Sequence, residues 1–318
     1  QMLHTACLLV VCSVQLAAGV DIFVQPDFLP ISHVHVDPSP WPVPSALNST
    51  SVVLWRILPQ SNSSSLQSVS WDTYNFTGVH TPQPDHGWAL GAPSTVSSPE
   101  CSKRGTWSVV EWAAPGIYAA NLDTVCNPPV KGPSLATIVI SFNWLPPKFP
   151  TPWTETNGQL RWSAMLQVAK GERSSSTTAI YSTSSFVLKH LTTGHAVWYE
   201  TSLFDLDRPM GDAIFLDTIS HLGIIHGTVN PRSPSRYNCP TNRSATSSSE
   251  TWDEPRLFEF VINKTHVENG LADANDKYHL DLPALAEGWS VVHVNTELEA
   301  LAGARAGLNL GSWTVSAE

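Results

Sequence analysis

The chain has 318 residues, with 17 Lys plus Arg against 27 Asp plus Glu and a formal net charge of −10. That balance argues against nucleic acid and anionic membrane as main partners, because both call for a basic footprint. Only 14% of residues are charged while Pro (25) and Trp (13) are plentiful, so short strands joined by Pro/Ser/Gly loops are expected and long charged-face helices are not.

Residues 1–19 contain an apolar run ending in Ala17-Ala18-Gly19, too short to span a bilayer comfortably. It resembles a secretory signal peptide cleaved after Gly19, although the usual basic residue before the run is missing. The other reading is an assembly strand, with Leu8-Leu9-Val10-Val11 completing a sheet of its own or of a neighbour. Residues 20–47 alternate short apolar runs with Pro, and His33 and His35 alternate with Val, a pair more often strand surface than metal ligand.

Strands are expected over residues 52–58, 106–112 and 117–122, the last two paired across Pro115-Gly116. Asn127 to Pro133 is the candidate linker, dividing a β region over 20–133 from a sandwich over 134–318, unless the two form one continuous domain. Further strands are expected at 136–144, 160–169, 178–188, 222–229, 256–262, 289–294 and 308–315. The stretch 196–217 reads as a central β-hairpin, its two runs joined by Asp207-Arg208-Pro209-Met210-Gly211-Asp212. Residues 233–254 read as an exposed polar loop. The helix signals are 267–278 and Thr296-Glu297-Leu298-Glu299, the latter a capping box. The fold expected is an all-β antiparallel sandwich of the jelly-roll type, with long loops and one or two short helices.

Five Asn-X-Ser/Thr sequons, at Asn48, Asn62, Asn75, Asn242 and Asn263, point to a glycoprotein secreted through a eukaryotic pathway. Cys101 and Cys126 bracket a strand pair and are expected to be bonded, leaving Cys239 free, paired between chains, or joined to Cys7 or Cys12.

No nucleophile elbow, zinc-protease helix, phosphate loop or dinucleotide fingerprint occurs. Asp205, Asp207 and Asp212 cluster at the expected turn, where carboxylate and backbone oxygens would suit Ca²⁺. The bland alternative, a solvated turn with Arg208 pairing to one of them, is favoured because no full calcium loop is present. His293, Asn295, Glu297 and Glu299 share a face if the strand at 289–294 runs on, and a glycosidase would pair one such carboxylate with Glu200. The capping box competes for Glu299. Trp55, Trp112, Trp162 and Trp198 sit in strand-like runs and are expected in the core. Trp41, Trp88, Trp153 and Trp252 sit in loop-like surroundings, where an exposed ring would stack on sugar faces, although each could instead cover an edge of the sandwich.

Trp198-Tyr199-Glu200, Leu203-Phe204-Asp205, Asp212 to Asp217, Val291 to Asn295 and Leu308 to Val315 together resemble secreted jelly-roll proteins of the broad lectin and carbohydrate-binding type. The resemblance implies a fold and, by analogy, a glycan or polysaccharide ligand. The leading expectation is a non-catalytic glycan-binding module at the cell surface or in the matrix. Its rivals are a structural subunit of a self-assembling extracellular filament and a polysaccharide hydrolase or lyase.

Overall fold

From Leu160 to Val168 every second residue is apolar and buried, and the residues between them are half-buried. Such a period of two makes a strand with one face on a core. The computed structural model describes residues 20–24, 53–58, 67–68, 88–93, 96–99, 101, 107–114, 117–126, 136–143, 151–154 and 158–318, the last with short breaks at 174–178, 207–210, 218–219, 231, 253 and 301–302.

The strands in chain order are β1 (Val20–Val24), β2 (Val53–Leu58), β3 (Gln67–Ser68), β4 (Trp88–Pro93), β5 (Trp107–Ala114), β6 (Ile117–Asp123), β7 (Ala136–Asn143) and β8 (Gln159–Arg173). Then come β9 (Ile180–His190), β10 (Ala196–Asp205), β11 (Ala213–Leu216), β12 (Gly223–Thr228), β13 (Cys239–Pro240), β14 (Arg256–Asn263), helix α1 (Lys264–Tyr278), β15 (Trp289–Ala300) and β16 (Ala304–Ala317). One sheet has nine strands in the order β13-β14-β8-β16-β6-β5-β4-β3, with β1 pairing the far end of β16. The other has seven, in the order β11-β12-β10-β9-β15-β7-β2. Both sheets contain strands from before and after residue 133. The result is an all-β sandwich of jelly-roll type, as the strand spacing predicts.

Its core joins both inner faces: Trp162, Leu166, Phe258 and Phe260 from the first sheet meet Phe186, Leu188, Tyr199, Val294 and Leu298 from the second. Trp162 stacks on Phe260 at 5.2 Å between ring centroids. Helix α1 lies against β11, β12 and β14. Gly270 permits that approach, since a Cβ there would lie 2.6 Å from Ile225 Cγ2. The helix begins three residues before the expected start because Asn263 caps it: its side chain accepts from His266 N at 3.0 Å, and His266 Nδ1 accepts from Asn263 N at 3.2 Å.

Three expectations are corrected. First, residues 196–217 do not form a hairpin. β11 pairs antiparallel with β12, and β12 inserts parallel to β10 between the two. β12 is the better covered of the pair, whereas the four-residue β11 exposes Phe215 and Leu216, so β11 takes the edge. Second, residues 296–299 are not a helix start. β15 runs to Ala300 with β9 on one side and β7 on the other, and Thr296 and Leu298 are buried. Two full ladders outweigh one local cap. Third, the stretch 233–254 is not simply an exposed loop. Tyr237, Asn238, Ser247 and Trp252 are buried, Tyr199 Oη donates to Tyr237 O, and Asp205 N donates to Ser248 O at 3.0 Å.

Cys101 and Cys126 are joined by a disulfide with Cα atoms 5.5 Å apart. Cys126 follows β6 in a turn where Asp123 Oδ1 accepts from Val125 N and Cys126 N at 3.0 and 3.1 Å. Cys239 is also disulfide-bonded, to a residue outside the described ones. The candidate linker, the apolar stretch before residue 20, His33 and His35 likewise lie outside them. Among the described residues no helix is long and apolar enough to cross a membrane.

Candidate functional site

The seven-stranded sheet turns one face to the core, and its other face carries the polar chemistry. Register defines that outer face. Glu200 of β10 and Asn295 of β15 both lie opposite Ser185 of β9, and Glu297 lies opposite Thr183. Tyr181 lies opposite Glu299 on one side and Asp205 on the other, and His226 of β12 lies opposite Glu200. Polar residues at every second position of β9, β10 and β15 therefore collect on one surface. A bulge between Ser202 and Phe204 adds a residue to β10, turning Phe204 into the core and leaving Asp205 in line with Tyr181.

Two carboxylates on this face sit in different surroundings. Glu297 is buried and accepts hydrogen bonds from Ser185 Oγ at 2.9 Å and Asn295 Nδ2 at 3.2 Å. Burial, reinforced by the charges of Glu299 and Glu200, raises its pKa well above the usual carboxylate range despite those two donors. Glu200 is partly exposed and lies 3.3 Å, through Oε2, from His226 Nδ1. The two are two strands and one pleat repeat apart, about 12 Å between Cα atoms by ordinary sheet spacings. Tyr181 donates its hydroxyl to Glu299, and burial first, then Glu299, pushes its pKa well up. His293 is buried beside Asn295, and burial lowers its pKa.

Exposure is graded across the face. Ser185, Asn295 and His293 are buried under the β9–β15 side, while Trp198, Ile224 and His226 are half-buried and Phe215 at the β11 edge is 37% exposed. Phe215 meets His226 edge-on, with ring centroids 6.0 Å apart.

The structure brings together Glu200 and Glu297, the two carboxylates expected of a glycosidase reading. Two of the expected sugar-stacking tryptophans, Trp153 and Trp252, are buried. Trp153 is fully buried at a 3₁₀ turn (Pro152–Thr154), and its Nε1 donates to Ile262 O at 3.0 Å. Trp252 is buried too: its Nε1 donates to Leu166 O at 3.0 Å and Arg256 lies over its ring. In both, a backbone carbonyl satisfies the indole N–H, which removes the cost of burying it. Trp88 falls in β4, and Trp41 lies outside the described residues. Trp162 is in the core as expected, whereas Trp198 sits half-buried on the outer face.

Of the expected turn cluster, Asp205 and Asp212 lie among the described residues. Asp205 is buried at the end of β10, Asp212 is exposed and accepts from Arg236 N at 2.6 Å, and Asp207 is outside the described residues. No group of three or more metal-ligating side chains occurs among the described residues. Asn242 is exposed and Asn263 caps α1, while Asn48, Asn62 and Asn75 lie outside the described residues. His226, Ser185 and Tyr181 were not singled out from sequence. Their signal is a polar residue at every second place in strands whose alternate residues are apolar or small.

No protein-family model matches the chain, and no curated protein matches it. Among solved structures it is similar to a family 12 xyloglucanase from Bacillus licheniformis, at 11% identity and TM-score 0.37, over 74% of this chain and 88% of that one. It is similar to the family 11 xylanase from Neocallimastix patriciarum at 9% identity and TM-score 0.34, over 80% of this chain and 100% of that one. It is also similar to the Trichoderma harzianum endoglucanase 3 of family 12 at 12% identity and TM-score 0.33, over 83% and 95%. Likeness at this level is a matter of strand layout, and any functional reading rests on the side chains of this chain.

Proposed function

We propose that this protein is a secreted glycoprotein that binds polysaccharide on the outer face of the seven-stranded sheet and hydrolyses a glycosidic bond there. The supporting observation is the pair Glu200 and Glu297, which share that face in environments that separate their protonation states. Glycoside hydrolysis needs one carboxyl that keeps its proton and a second that is ionised, on opposite sides of the scissile bond. Burial and neighbouring negative charge favour the protonated form of Glu297, which suits the proton donor. Glu200, partly exposed beside His226, supplies the second carboxylate, as nucleophile or as base for a water. Ser185 and Asn295 hold the Glu297 carboxyl in one orientation. Secretion is supported by the five sequons and by two cysteine pairings.

The test is a panel of xylan, xyloglucan, soluble cellulose, mannan, galactan and starch, scored for released reducing ends and for binding by calorimetry. Turnover of one polymer that falls at least a hundredfold in both Glu200→Gln and Glu297→Gln, with folding intact, supports the hydrolase reading. Binding without turnover in the wild-type protein would replace it with the lectin reading, which the part-exposed Trp198 and Phe215 favour. Wild-type protein that neither binds nor cleaves any member of the panel would refute both.

A further inference from the structure

Beside the carboxylates, the outer face carries a strip of a different character. Phe215 of β11 lies opposite Ile224 of β12, and Ile224 lies opposite Trp198 of β10, so the three side chains form one row running across the strands. The next row along the strands contains Ala213, His226 and Glu200 in the same order. The first row is apolar throughout and the second holds the part-exposed carboxylate of Glu200. Both lie at the accessible end of the face, where Phe215 is 37% exposed and Ile224 and Trp198 are half-buried.

An edge strand that exposes an aromatic ring is a liability unless something uses it. Here the ring is tied into the candidate site, since Phe215 meets the edge of His226 and His226 contacts Glu200 at 3.3 Å. A row of two aromatic rings and one branched aliphatic, about 10 Å across three strands by sheet spacing, is the complement of pyranose rings offering an apolar C–H face. The hydroxyl edges of the same sugars would then fall toward His226 and Glu200. Rings with equatorial substituents present such a face on both sides. A ring with an axial hydroxyl presents it on one side only.

We infer that Phe215, Ile224 and Trp198 form a sugar-stacking subsite that binds equatorially substituted, β-linked pyranose units immediately next to Glu200. The inference rests on the glycan reading above and adds to it the location and chemical class of the bound sugar. Phe215 is the residue to vary, because it lies on an edge strand and is the most exposed of the three.

The experiment uses the full chain and the polymer that the wild-type protein binds best. Phe215→Ala and Phe215→Leu are expected to raise Kd, and KM if there is turnover, by about tenfold, with kcat within about twofold of wild type. Phe215→Trp should restore wild-type affinity. The Leu variant keeps apolar bulk at the edge, so a merely structural role for Phe215 would leave it normal. Wild-type affinity in both the Ala and Leu variants overturns the subsite while leaving the glycan reading in place. Phe215→Ala that breaks up a self-associated form without changing glycan affinity also overturns it, marking the edge as a protein contact. If the wild-type protein binds no glycan, the underlying reading fails first and the subsite with it.

Discussion

Ser185 donates its hydroxyl to Glu297 at 2.9 Å while its own place in the sheet is opposite Glu200 on the other side. One small residue on β9 thus stands between the two carboxylates, orienting the first and spacing it from the second. Replacing Ser185 by Ala removes a bond that favours the ionised form of Glu297 and leaves the opposing effects of burial and charge in place. The pKa of Glu297 should rise further, moving the alkaline limb of any pH–activity profile upward. A profile unchanged from wild type would show that the hydroxyl does not act on this carboxyl.

Glu297 has a stability counterpart. Its folded pKa lies above the unfolded value, so the native state holds the proton more tightly. That contribution is fully present below the unfolded pKa of about 4.3 and is lost as pH rises through the folded pKa. Glu297→Gln removes the ionisation and should raise Tm relative to wild type above neutral pH, with the difference shrinking toward pH 4. Melting curves at several pH values check the sign directly, and a lower Tm at high pH would contradict the assignment.

His266 works in the opposite direction. Burial lowers its pKa to about 4, so the folded state carries it neutral, with Nδ1 accepting the Asn263 amide. The unfolded pKa is about 6.5, so stability present above that value is lost as pH falls toward 4, by at most about 3 kcal/mol. Gln at this position keeps a capping-box side chain and cannot titrate. His266→Gln should therefore flatten the acid-side loss of Tm. An equally steep loss would assign the acid sensitivity to other groups.

Phe204 and Trp198 belong to the same strand and should respond differently to truncation. The bulge turns Phe204 into the core, where it is fully buried and meets Trp252 edge-on at 6.1 Å. Phe204→Ala should cost about 3–5 kcal/mol. Trp198 is half-buried on the outer face, so Trp198→Ala should cost less and act mainly on ligand binding. Denaturant titrations of the two variants give the comparison, and equal losses would place both rings in the core.

The disulfide between Cys101 and Cys126 spans a sequence separation of 25, which in the chain-entropy account contributes about 3 kcal/mol. Substituting both cysteines by Ser should lower stability by that order. Peptide mapping without reductant would recover the two as one linked fragment.

The fold class was legible because strand formation here is written locally. Alternating burial in β8 and the antiparallel pairing of β5 with β6 follow from patterns a few residues long. So does part of the site, since Asn295, Glu297 and Glu299 fall on one face of any extended chain. What local patterns do not contain is the pairing of strands distant in sequence. Whether residues 296–299 extend β15 or start a helix was decided by β7 and β9, and whether β11 pairs with β10 was decided by β12. The placement of Trp153 and Trp252 likewise depended on carbonyls of Ile262 and Leu166, more than eighty residues away in each case. Composition and period determined that this chain makes a sandwich of strands with polar residues on an outer face. Only tertiary packing decided which carboxylates meet there, because hydrogen-bond ladders and burial act between segments that share no local signal.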